Sequence, residues 1–260
     1  MNEVLRTIYG RCSLRKFAGR LIDKDTKNAL FEAAMRAPTA GNQMLYAMID
    51  ITDQVIKERL AVLCDNQPFI AKAPMVVVFA ADQQRWFDYY DMNGVKAFCA
   101  AQEDMCFEAP QESDLLLACE DAMCAAQTMV IAAESLGIGS CYIGDILENF
   151  EDVSALLKLP DWVFPLSMLV LGYPENGRAQ RAIPRFDQKY IVYENTYKRL
   201  GDDELRDMYK DVDKKYNPDN AAGAKNYAQQ FYARKTGAAF SKEMARSVRV
   251  ALKKWDGRKL

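Results

Sequence analysis

The strongest constraint on the fold is the stretch Leu115–Leu136, apolar on nearly every side and broken only by Glu120, Asp121, Gln127 and Glu134. A helix without a continuous polar face has to be wrapped by other elements, and the embedded charges exclude a bilayer span, so the stretch predicts the central buried helix of a globular core. It stops at Gly137, the residue type that most readily takes the left-handed conformation closing a helix. Further upstream, Ala73-Pro74 introduces Met75-Val76-Val77-Val78-Phe79-Ala80-Ala81, a continuous β-branched and aromatic run ending at Asp82. Such a run predicts a buried central strand.

Weaker periodic signals fill in the rest. Residues 24 to 36 read as an amphipathic helix, Tyr46–Ile51 as an alternating strand and Val55–Leu63 as a helix. A helix around 151 to 158 and the strand Ser167-Met168-Leu169-Val170-Leu171-Gly172-Tyr173-Pro174 follow the central helix. Residues 85 to 113, rich in aromatic, Met and acidic residues, lack clean periodicity and predict irregular helices or a covering insertion; Trp86, Phe87, Tyr89, Tyr90, Phe98 and Phe107 are its candidate stacking residues.

The composition excludes much chemistry. No histidine occurs in 260 residues, which removes histidine-based nucleophilic triads, Cys/His zinc sites and the usual proton shuttle near neutral pH. The seven cysteines, at 12, 64, 99, 106, 119, 124 and 141, contain no C-x-x-C pair and read as reduced and mostly structural. No secretory leader pattern opens the sequence, and the expectation is a soluble, cytoplasmic protein with no membrane segment. A net charge of −2 argues against nucleic acid as a general partner. From Asn220 onward, however, ten Lys and Arg stand against Glu243 and Asp256, which predicts a basic helical arm.

Two segments carry site chemistry. In Arg11-Cys12-Ser13-Leu14-Arg15-Lys16-Phe17 the two arginines are four apart, so in a helical turn their guanidinium groups share a face, with Ser13 adding a hydroxyl donor. A phosphate is the expected guest. In Ala37-Pro38-Thr39-Ala40-Gly41-Asn42-Gln43, Pro and Gly stop the preceding helix and turn the backbone outward, presenting amides suited to a flat heterocycle. Gly137, Gly139 and Gly144 do not make a dinucleotide fingerprint, because their spacing is wrong and a helix precedes them where a strand is required.

These two segments, together with Asp121-Ala122-Met123-Cys124-Ala125-Ala126-Gln127, the run from Ala132 through Gly144 and Leu171-Gly172-Tyr173-Pro174, resemble in order the FMN-dependent nitroreductase family over about residues 5 to 200. The C-terminal region resembles the longer NADPH-flavin oxidoreductase branch. The resemblance implies an α+β nitroreductase-like fold: a mixed central sheet flanked by helices in an intertwined homodimer with a C-terminal arm. It divides the chain into an FMN-binding domain at 1–195 and a helical extension packing on the dimer at 196–260. It implies FMN as cofactor, NADPH or NADH as reductant, with NADPH expected, and nitroaromatics, quinones or flavins as small planar electron acceptors.

Residue by residue, the resemblance places Arg11, Ser13 and Arg15 at the phosphate and ribityl positions, with Cys12 contributing main chain. Pro38, Thr39 and Asn42 fall at the turn beside the isoalloxazine edge, often supplied by the other subunit, and Gln67 falls at a flavin-contacting glutamine. Tyr142, Ile143, Gly144 and Asp145 match the loop approaching the flavin N5. The family's late basic triplet is not intact here; Arg181 matches its first basic position and Arg185 is the candidate for the second. No catalytic side chain and no metal ligand is expected. A dehalogenase, an enone reductase and a non-catalytic FMN-binding protein are the alternatives on the same fold.

Overall fold

The computed structural model describes residues 1–175 and 182–257. Their compact units are Met1–Ala182 with Glu243–Leu260, and Ile183–Lys242. In the first unit the order is α1 (Glu3–Gly10), α2 (Lys24–Met35), β1 (Tyr46–Asp50), α3 (Gln54–Leu63), β2 (Met75–Asp82), α4 (Gln84–Met92), α5 (Val95–Ala100), α6 (Glu112–Ser135), β3 (Gly139–Ile143), α7 (Phe150–Leu157) and β4 (Val163–Gly172). The second unit holds α8 (Asp202–Asp213) and α9 (Tyr227–Arg234), and α10 (Ala239–Leu252) begins in it and ends in the first.

All eight residues of β2 are buried, as the unbroken apolar run predicts. The sheet order is β1-β2-β4-β3 and every pairing between these strands is antiparallel. The mixed character expected of the sheet is confined to a short parallel bridge between Ser13 and Ser140. Because successive side chains on a strand point to opposite faces, β2 feeds two cores. Met75, Val77 and Phe79 pack with Leu30 and Ala34 of α2 and with Ala122, Ala125, Ala126 and Met129 of α6. Val76 and Val78 pack with Leu60 and Leu63 of α3, Val153 of α7 and Cys141 and Ile143 of β3.

Helix α6 closes as the sequence predicts. Gly137 takes φ 73°, its N–H donates to Glu134 O and the N–H of Ile138 to Ala133 O, the paired bonds of a Schellman stop. Its burial differs from expectation. One side, rich in alanine, packs against the sheet and α2, whereas Leu116, Leu117 and Met123 on the other side are exposed.

The C-terminal arm also differs. Residues from Glu243 onward belong to the first unit, with Trp255 fully buried beside Trp162, Phe150 and Phe164. Trp162 Nε1 donates to Lys254 O at 3.1 Å, and Arg246 pairs with both Glu151 and Glu243. The chain's two units divide at 182/183, and the described residues 243–257 belong to the first unit. A buried indole supplies the reason, since fully burying an aromatic side chain is worth about 2–3 kcal/mol.

Two glycines let the segment after α1 lie against the sheet. A Cβ on Gly139 would sit 2.7 Å from Leu14 Cδ2, and one on Gly172 would sit 2.7 Å from Phe17 Cδ1 and 2.8 Å from Pro74 Cδ. Phe17 and Pro74 are rigid rings and cannot yield cheaply. Gly172→Ala is expected to lower stability by about 1–3 kcal/mol through overpacking, measured by denaturant titration, with Gly10→Ala, where an added Cβ meets nothing within 4 Å, as the near-neutral control.

Candidate functional site

The basic segment is extended, not helical. Helix α1 ends at Gly10, and Arg11 already has φ −63° and ψ 132°. Leu14 N–H donates to Ser140 O at 2.9 Å, Ala18 N–H donates to Tyr173 O at 2.8 Å, and Phe17 bridges Pro174. In an extended chain alternate residues share a face, so Arg11, Ser13 and Arg15 still emerge together while Cys12 and Leu14 are buried. The helical turn is overturned and the shared face survives it.

That strip runs beside β3. Burial pushes the Cys141 thiol up, and Arg15, Ser13 and Arg11 all oppose the shift, which sets the three polar groups around one β3 side chain. Burial also pushes the Tyr142 phenol up to about 12, opposed by Arg11, and its hydroxyl donates to Gln127 Oε1 at 3.2 Å. Tyr142 is therefore a neutral group at physiological pH. Ile143 is buried. Gly144 opens a 3₁₀ turn, Gly144–Leu147, and a Cβ there would meet no atom within 4 Å.

Arg15 and Lys16 also line a cleft of about 410 Å³ with Phe17, Phe69, Lys72 and Glu175. Three cations against one carboxylate give this cleft a net positive charge. Lys72 is a residue that sequence reasoning missed; it follows a turn with no motif, and only the tertiary fold brings it to the strip. Gln67 lies on the same turn, and its Nε2 donates to Asp145 Oδ2 at 2.7 Å and to Cys64 O at 2.9 Å. The structure thus joins Arg11, Cys12, Ser13, Arg15, Gln67, Tyr142, Ile143, Gly144 and Asp145 around β3.

Pro38, Thr39 and Asn42 stand apart from this group. They precede β1, the opposite edge of the sheet, three strand spacings or about 14 Å from β3. Their turn is built on Asp121, a buried carboxylate of α6. Ala40 N–H and Leu45 N–H donate to it at 2.8 and 3.1 Å, the Thr39 hydroxyl donates to it as well, and Met44 N–H donates to Thr39 Oγ1 at 2.8 Å. Gly41, Asn42 and Met44 all have positive φ, a kinked path that these bonds hold in place. The Thr39 hydroxyl is used up in building the turn; Asn42 and Pro38 remain exposed.

Helix α4 clamps the same turn. Arg85 donates to Met44 O and Tyr46 O while pairing with the buried Asp82, and Trp86 Nε1 donates to Gln43 O at 3.0 Å. The aromatic insertion divides accordingly. Trp86, Tyr89 and Tyr90 cluster on one side of α4, with ring centroids 5.6 to 6.3 Å apart, whereas Phe87 packs inward on Phe107 and Trp162. Of the remaining expectations, Arg181 lies outside the described residues, and Arg185 lies in the second unit, lining a cleft of about 740 Å³ with Lys189, Asp207 and Lys210.

The description "Nitroreductase family" belongs to the family model that matches residues 8–173. A Bacillus subtilis protein named FMN reductase (NADPH) is 32% identical over 214 residues, covering 82% of each chain. An oxygen-insensitive NADPH nitroreductase of Salmonella typhimurium is 31% identical over 211 residues, covering 80% of each. The solved structure of the NfrA1 nitroreductase from B. subtilis superposes with a TM-score of 0.80 at 27% identity, covering 99% of this chain and all of that one.

Removing the Asp121 carboxylate orphans the Ala40 and Leu45 N–H groups and the Thr39 hydroxyl together. Asp121→Ala is expected to cost on the order of 3 kcal/mol, and Thr39→Val about 1 kcal/mol. Chemical denaturation of the two variants checks the ranking.

Proposed function

The chain belongs to the nitroreductase family, and on that premise we propose that it is an FMN-dependent NAD(P)H oxidoreductase reducing small planar acceptors such as nitroaromatics, quinones or free flavin. The observation that carries this reading is the basic strip on β3: Arg11, Ser13 and Arg15 share a face, beside a cleft that adds Lys16 and Lys72. The donor set fits a phosphate dianion, and the open backbone at Gly144 fits a flat ring approaching closely. Bound FMN would supply the hydride chemistry, accepting from NAD(P)H and delivering to the acceptor in a ping-pong cycle, so the absence of histidine costs nothing.

The chain's own residues do the holding. Arg11 and Arg15 neutralise the phosphate, Ser13 adds a hydroxyl, and the main chain of Tyr142, Ile143 and Gly144 offers dipoles to the reacting edge of the ring. The neutral Tyr142 phenol keeps negative charge away from that edge. Pro38, Thr39 and Asn42 belong to the same site if a second copy brings its β1 edge to this chain's β3 edge. The exposed apolar face of α6, with Leu116, Leu117 and Met123, supports such a homodimer, as does the exposed face of α1 with Val4, Ile8 and Tyr9. NADPH is the reductant we favour, in keeping with the names of both relatives. None of the seven cysteines is in a disulfide, which suits a reducing cytosolic setting.

The purified protein is expected to be yellow and to bleach on anaerobic addition of NADPH; a colourless protein that takes up no added FMN overturns the proposal. Arg15→Ala is expected to weaken FMN binding about 10–100-fold through loss of a charge-assisted bond, with riboflavin, which lacks the phosphate, bound as before. For the dimer, the native mass should be twice that of one chain, and iodoacetamide should label the exposed Cys106 while Cys124, on the outward face of α6, is protected. A monomer labelled at both positions would sink it.

A further inference from the structure

Among the described residues, the two cores on the faces of the sheet draw nothing from 243–257, whereas a third core at one end of the sheet is completed by Ala251 and Trp255. The same segment is tied to the starts of three elements. Ser247, fully buried, accepts from the Phe150 N–H of α7 at 2.7 Å. Just before β4, Lys254 O accepts from Trp162 Nε1 at 3.1 Å, and Lys254 Nζ pairs with Asp161 at 2.8 Å. Asp256 forms an antiparallel bridge with Gln111, the residue preceding α6.

The cap on α7 comes from outside the helix. Asn149 stands at the N-cap position, where an asparagine side chain ordinarily accepts from the first N–H groups. It makes no such bond, and its Nδ2 donates to Leu63 O at 2.7 Å instead. The Ser247 hydroxyl takes over, so the first N–H of α7 keeps this partner only while the segment is docked. Trp162 carries the same dependence to α4. Its ring centroid lies 4.2 Å from that of Phe87, its carbonyl accepts from Gln83 N–H at 3.0 Å, and its indole N–H is held by Lys254 O. One side chain thus stands between the segment and α4.

We infer that 243–257 is a strap, a cooperative unit whose docking seats α4 and the start of α7 together and whose release frees both while the cores on the sheet faces stay folded. The division follows from where the contacts fall. The polar ties end at or near the first residue of an element, where few bonds have to break, and the apolar ones end in the third core. Local opening runs through such contiguous groups of contacts at a free energy below that of global unfolding. Release also reaches the 38–45 turn, because Trp86, next to Phe87 on α4, donates from Nε1 to Gln43 O at 3.0 Å. No ligand enters this coupling, which stands apart from the FMN reading.

Native-state hydrogen exchange of the full chain in low denaturant, read by mass spectrometry, tests the strap. In wild type the helical amides of α4, α7 and α10 are expected to share one opening step, with an opening constant about ten-fold or more above that of β2. Ser247→Ala removes the cap and leaves the indole in place. It is expected to raise opening about five-fold, the usual cost of a lost cap, and to do so in α4 as well as in α7, although Ser247 bonds only to the latter. Trp255→Ala is expected to leave all three helices largely unprotected while β2 still exchanges slowly. Should that variant fail to fold, wild type and Ser247→Ala decide between them. Separate opening of α4 and α7 in wild type overturns the inference, as does their opening only together with β2. Acceleration confined to α7 in Ser247→Ala is the signature of a local cap and overturns it too.

Discussion

Both faces of the sheet are covered, and everything functional follows from that. With α2 and α6 on one side and α3 and α7 on the other, the central pair β2 and β4 has no surface to offer a ligand. Only the sheet's edges and ends remain open, and there the candidate residues gather: the basic strip and the 142–145 loop on β3, the 38–42 turn beside β1. The β3 strip and the 38–42 turn lie at opposite edges of the sheet, about 14 Å apart, and in the homodimer proposed above a second copy would bring the two sets together.

A buried carboxylate sets the second edge. Asp121 sits among alanines on α6, where an unpaired charge would cost several kcal/mol, and it is kept by three donors from the 39–45 turn. The same bonds that satisfy the charge shape the turn, so helix and turn specify each other. Arg85 and Trp86 then fasten α4 to that turn, coupling the aromatic cluster of Trp86, Tyr89 and Tyr90 to the presentation of Asn42. The seating of the insertion on this turn therefore depends on a carboxylate buried in the helix behind it.

The core of the fold is legible in the sequence because strand β2 announces itself by an unbroken apolar run and helix α6 by an apolar stretch with few charges, and Gly137 closes α6 as its type predicts. Other features are ambiguous for identifiable reasons. A spacing of four is close to one helical turn and is also two strand repeats, so Arg11 and Arg15 share a face in either conformation and their spacing cannot choose between them. Leu116 and Met123 read as core because apolarity marks burial without saying whether the covering surface belongs to the same chain. The basic count after Asn220 hides Trp255, one aromatic that outweighs the charge pattern and returns the chain's end to the core. Lys72 and the Asp145–Gln67 bond are contacts across long stretches of sequence, and no local pattern records them.

The site's polarity gives the residues a common logic. Cationic side chains collect on the strip and at Lys72, with Arg11, Arg15 and Lys16 on one side of β3. Around Gln67 the order reverses, since the NH₂ is consumed by Asp145 and Cys64 and the oxygen is what remains. With no histidine to move protons, a fixed ligand orientation is the main thing this protein can contribute to a hydride transfer, and its polar residues are spent on that.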